Sequence, residues 1–162
     1  MMPVAKGLLA AEGGAMPDVA PGARLTHEGA LNVLRAAIEK AEELSVPQCI
    51  AVTDDGGRLL TFVRMDGAKF LSIRTSLRKA MTAASQRAPS GQATHSVHHS
   101  EGDHAVRIGL VTGGRLTRLE GGLPIVVGDD LVGAIGVSSG SSEEDVAVAM
   151  AGVAAIAGAK HW

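Results

Sequence analysis

Two short apolar segments, each broken by a tight Asp–Gly turn, constrain this chain most. In the first, Cys49, Ile50 and Val52 alternate along Gln48–Thr53; Asp54-Asp55-Gly56-Gly57 follows, and Leu59, Leu60, Phe62 and Val63 fill Arg58–Arg64. Glycine supplies the positive φ that a hairpin turn demands, so the spacing predicts two antiparallel strands joined at residues 54–57. The second pair is Leu123–Val127 and Leu131–Ser138, joined through Gly128-Asp129-Asp130. Gly133 and Gly136 inside the last strand predict close backbone approach on one face.

Helical patterns surround these hairpins. Thr26 suits an N-cap and Glu28 the positive end of a helix whose apolar face is Leu31, Leu34, Ile38 and Ala41, with Pro47 stopping it near Ser45. A second helix is predicted over about Phe70–Gln86, with Phe70, Ile73, Leu77, Ala80, Met81 and Ala84 as its buried stripe, basic residues Arg74, Arg78, Lys79 and Arg87, and Pro89 closing it. A third has Ser142 and Asp145 at capping-box spacing and a stripe of Val146, Ala149, Met150, Val153 and Ile156. The order α-β-β-α-loop-β-β-α predicts an α+β fold, an antiparallel β-sheet flanked by helices. Residues 1–24, proline- and glycine-rich without apolar periodicity, read as a flexible N-terminal arm, and 25–162 as a single domain.

Composition removes several classes of function. A net charge of −2 gives no basic field for nucleic acid. Aromatics amount to 2%, namely Phe62, Phe70 and Trp162, too few for base-stacking platforms. No run of eighteen apolar residues exists to span a membrane, so neither nucleic acid nor a membrane is an expected partner. The apolar share of 46% points instead to a covered surface, a homo-oligomer with an even number of subunits. One cysteine, Cys49, placed mid-strand and read as buried and inert, cannot form an internal disulfide. With no convincing signal peptide, the cytoplasm is the expected compartment.

Four ordered motifs carry a resemblance: Val52-Thr53-Asp54-Asp55-Gly56-Gly57, Arg64-Met65-Asp66-Gly67-Ala68, Gly121-Gly122-Leu123-Pro124-Ile125-Val126-Val127, and Gly133-Ala134-Ile135-Gly136-Val137-Ser138 with Gly140. Over roughly residues 25–160 the chain resembles the GlcG/HbpS-like family, which includes the C-terminal domain of PduO-type proteins. The resemblance implies a profilin-like layered fold and a homo-oligomer. It further implies haem or corrinoid-related binding in some members and a place in small-molecule catabolism in others. One segment departs from the family's pattern. Four of the six histidines, His95, His98, His99 and His104, fall within ten residues.

Candidate site residues follow from chemistry. Arg64 presents forked donors suited to a carboxylate, or else makes a structural ion pair; Asp66 either moves a proton or caps the next helix. Lys79 either joins Arg64 in an anion site or belongs to a solvated basic face. Gly121 and Gly122 either offer backbone N–H groups to a ligand or form the turn that sets up the strand. In a helical segment His95, His98 and His99 share a face, and with His104 they supply imidazoles for a divalent metal or haem iron; His98 and His99 are also candidate acid–base groups. The alternative is a polar surface loop. Ser138–Ser142 is read chiefly as a capping turn, although a helix N-terminus there can also hold an anion. The leading expectation is a small-molecule binding protein whose ligand is haem, another tetrapyrrole or an anionic catabolite. The alternative is an enzyme of catabolism performing isomerase, lyase or hydrolase chemistry on a carboxylate-bearing metabolite, with Asp66 or a histidine moving the proton.

Overall fold

A computed structural model describes Asp18, residues 22–92 and residues 110–162. Helix α1 (His27–Glu43) starts where the sequence places it: the Thr26 hydroxyl accepts the Gly29 N–H at 3.1 Å, satisfying one of the first-turn donors. Strands β1 (Cys49–Asp54) and β2 (Leu59–Arg64) form the first hairpin. Helix α2 (Ser72–Gln86) and a short 3-10 turn at Ser90–Gln92 follow. Strands β3 (Gly122–Val127) and β4 (Asp130–Ser138) form the second hairpin, and helix α3 (Ser142–Ala154) closes the order. The fold is α+β, with one four-stranded antiparallel sheet in the order β2-β1-β4-β3.

The sheet has two different faces. Ile50, Val52, Ile125, Ile135 and Val137 pack against Ala30, Val33 and Ala37 of α1 and Val148 and Ala149 of α3, forming the apolar core. Helix α2 covers the other face, over β4, β1 and β3. It lies so close that a Cβ at Gly136 would collide with the Ser76 carbonyl oxygen and sit 2.5 Å from the Ala80 nitrogen. Only small side chains fit such an approach. The buried face of α2 is therefore Ser72, Ser76, Lys79, Ala80, Thr82 and Ala83 with Ala84. This corrects the expected stripe: Ala80 and Ala84 are buried, but Phe70 and Ile73 are exposed, and Leu77 and Met81 are only half-buried.

Two further expectations change. The capping box of α3 is built from Ser141 and Glu144, not Ser142 and Asp145: Glu144 N–H donates to the Ser141 hydroxyl and Ser141 N–H to the Glu144 carboxylate. Its buried positions are Asp145, Val148, Ala149, Gly152 and Val153, while Val146 is half-buried and Met150 exposed. The C-terminal residues run back along β3, the outer strand on that side. Ala159 bridges Val127, Lys160 N–H donates to Val126 O at 2.8 Å, and Trp162 Nε1 donates to Pro124 O at 2.8 Å.

Candidate functional site: a groove above a buried ion pair

Lys79 is buried beneath the sheet, where its Nζ donates to the Asp145 carboxylate at 2.6 Å and to Val137 O at 2.7 Å. The other Asp145 oxygen accepts the Gly140 N–H at 3.0 Å, which the buried Gln48 amide oxygen shares at 3.2 Å. Both charges are thus paired and hydrogen-bonded, the condition under which a buried ion pair persists. Lys79 consequently does not belong to a solvated basic face. Just before α3 the N–H groups of Gly140 and Ser141 donate to the Asp145 and Glu144 carboxylates, and in its first turn the Glu144 N–H donates to the Ser141 hydroxyl.

Gly121 and Gly122 lie directly over this pair. Gly121 has φ +102°, and a Cβ there would stand 2.7 Å from the Asp145 Cβ and 3.2 Å from Lys79 Nζ. A Cβ at Gly122 would collide with the Lys79 carbonyl oxygen. Gly122 N–H donates to the Ser90 hydroxyl at 3.0 Å, and that hydroxyl donates in turn to Leu119 O. The two glycines are required by packing from below. Above, they form the base of an open groove of about 370 Å³. Leu123, Val146, Met150 and Trp162 make its apolar wall, and Gln92 and Glu120 its polar rim. Lys160 stands over the Trp162 ring, 3.9 Å from the centroid.

The structure therefore brings Lys79, Gly121 and Gly122 together. Arg64 and Asp66 are elsewhere. Arg64 is exposed at the end of β2, the opposite edge strand from β3, and three strand spacings amount to roughly 14 Å. Asp66 is exposed in the turn after β2 and does not cap α2, which starts at Ser72 with no side-chain cap. Cys49 shares the α2 face of the sheet, in register with Arg64 and Ser138, and is buried with Sγ 3.6 Å from Lys69 O. Burial pushes its thiol pKa up, against a smaller opposing pull from the Arg64 guanidinium. His95, His98, His99 and His104 lie outside the described residues. Among the described residues no group of three or more His, Cys, Asp or Glu side chains could hold a metal ion. The sequence marks Trp162 only as one of three aromatics, Met150 only as part of a helix stripe and Asp145 only as a cap, none of them as a site residue.

Residues 25–154 match the family described as haem degrading protein HbpS-like. The chain belongs to the HbpS-like family. It is 37% identical over 114 residues to the GlcG protein of Escherichia coli, spanning 70% of this chain and 81% of that one. Its fold is similar to that of a PduOC:heme complex, with a TM-score of 0.76 and 26% identity over 86% of this chain and 99% of the other. A double mutant of HbpS from Streptomyces reticuli has a TM-score of 0.71 and 32% identity over 90% of this chain and 97% of that one. No helix among the described residues of this HbpS-like chain is long and apolar enough to cross a membrane.

Proposed function

We propose that this HbpS-like protein binds haem or a related tetrapyrrole in the groove at Gly121–Gly122. The observation that carries the reading is the groove's chemistry. A flat indole, Trp162, stands beside Leu123, Val146 and Met150, offering an apolar wall to a flat ring. Lys160 at the Trp162 ring supplies a cation for a peripheral carboxylate. The volume of about 370 Å³ falls at the lower end for small-molecule pockets, and the open side leaves part of a large ring in solvent. The haem complex of the PduOC relative supports the ligand class.

Iron ligands come from two sources in this reading. Met150 places a thioether in the wall. The expected ligands His95, His98, His99 and His104 are the second source, imidazoles able to bind haem iron. Bound iron supplies a coordination centre; the chain's own residues bind the ring and exclude water from one side.

The single tryptophan makes the reading testable. Hemin titrated into the full chain gives a saturable Soret band and, over the same range, quenches Trp162 emission. Replacing His95, His98, His99 and His104 together with Ala changes the band, and Met150→Asp weakens binding by about tenfold or more, the scale set by burying a charge against an apolar ligand. A saturable band without any change in Trp162 emission places the ligand elsewhere and defeats the assignment.

A further inference from the structure

A second cavity, of about 360 Å³, lies between the β1–β2 turn, the C-terminal half of α2 and the segment 112–116. Gly57, with φ +77°, lets the hairpin turn lie against α2: a Cβ there would be 3.6 Å from the Met81 Cα. Met81 and Leu116 give the cavity an apolar side. Its polar side carries Arg115 and the hydroxyls of Thr82 and Ser85. Thr82 uses its oxygen to accept the Thr117 N–H at 3.0 Å, which fixes the wall and leaves the hydroxyl proton to donate. The Arg78 guanidinium lies over Gly114, one residue before Arg115, 3.5 Å from where a Cβ on that glycine would stand.

The charge pattern decides what this cavity fits. Among the described residues neither Arg78 nor Arg115 has a carboxylate partner, whereas Arg58, at the same turn, is paired with Asp54 at 3.8 Å. On the lining itself Asp55, exposed in the turn, is the one acid and Arg115 the one base; Arg78, beside the lining over Gly114, adds the second guanidinium that tips the site to net positive. Arg115 is exposed and Arg78 half-buried, so their forks are open to a planar oxyanion, and the hydroxyls of Thr82 and Ser85 beside Arg115 can donate to the same group. The half-buried Met81 and Leu116 add room for a short hydrocarbon body.

We propose that this cavity is a second ligand site, for a small carboxylic acid with a short apolar chain. The carboxylate meets Arg115, with Arg78 adding charge, Ser85 and Thr82 donate to it, and the chain lies on Met81 and Leu116. The site is separate from the groove at Gly121–Gly122 and stands or falls without haem.

Hexanoate is the probe, with the full chain and ligand-observed NMR as the readout. Wild type binds hexanoate saturably, and neutral hexanamide binds about tenfold or more weakly, as expected for loss of a charge-assisted hydrogen bond. Arg115→Gln reduces hexanoate binding by a similar factor, and Arg115→Lys by less, with melting temperature and Trp162 emission unchanged in both. Hexanoate that fails to saturate overturns the proposal. So does equal binding by wild type, Arg115→Gln and Arg78→Gln, or hexanoate that perturbs Trp162, which would put it in the other groove. Inorganic phosphate bound with the same arginine dependence while hexanoate is not bound makes this a phosphate site, and the carboxylic acid assignment falls.

Discussion

The two faces of the sheet are held by different physics. Toward α1 and α3 the contact is bulky and apolar: Ile50, Ile125, Ile135, Val52 and Val137 are fully buried against Val33 and Val148. Toward α2 the contact is small and partly polar, with Gly136, Gly122 and Ala134 under Ser76, Lys79 and Ala80. The first face draws its stability from area and tolerates conservative changes of shape. The second draws it from close backbone approach and from complete pairing of two buried charges, and tolerates little. The groove of the candidate site belongs to the second, because the glycines that let α2 settle also form the groove's base.

The sharpest way to break this contrast is to remove one member of the ion pair. Lys79→Met keeps the length of the side chain but strands Asp145, which is 3% exposed. Loss of one partner of a buried pair costs about 3–5 kcal/mol. Urea unfolding of the two single variants and the double variant Lys79→Met/Asp145→Leu measures this. The double variant recovers much of the loss, since two apolar residues need no pairing. If Lys79→Met unfolds at the wild-type midpoint, the pair is not what holds this face.

A smaller effect separates packing on the two faces. Gly136→Ala forces a methyl group against the Ser76 carbonyl oxygen and the Ala80 nitrogen, both helix backbone atoms that cannot move without α2. Overpacking of this kind costs about 1–3 kcal/mol. On the other face, Ile135→Val removes one methylene from a fully buried side chain and costs about 0.5–1.5 kcal/mol. Thermal melts rank the two. A larger loss from Ile135→Val than from Gly136→Ala would reverse the assignment of which face is the less forgiving.

The same contrast explains what was legible in the sequence. The strands, both hairpin turns and α1 with its Thr26 cap follow from alternation, glycine placement and helical spacing, all local signals. The α2 stripe was misread because periodicity assumes that bulky residues go inside, and here the facing strand admits only small ones. Gly136 and Gly122 carried the contrary signal, yet using it required knowing which helix lay on them. Pairing Lys79 with Asp145 spans 66 positions, and docking Trp162 on Pro124 spans 38, so neither has a local trace. Half the candidate site, Gly121 and Gly122, was therefore readable as a turn, and the wall that makes it a groove was not.

Cys49 offers the gentlest test, because it reports on the α2 face without disturbing it. Its thiol is buried there, and burial raises its pKa while the exposed Arg64 opposite it in register lowers it by a lesser amount. A raised pKa in the folded chain means that the folded state holds this proton more tightly than the unfolded state. Its contribution to stability is thus fully present below the unfolded thiol's value, about 8.5, and is lost as pH rises through the folded value. Urea midpoints taken from neutral pH into the alkaline range should fall more for the wild type than for Cys49→Ala. Arg64→Gln removes the opposing pull and should enlarge that difference, and it should also slow modification of the native thiol by a thiolate-selective reagent. Parallel pH profiles for wild type and Cys49→Ala would mean that the α2 face is open enough to hydrate the thiolate, and the close packing argued from Gly136 would not extend to this end of the sheet.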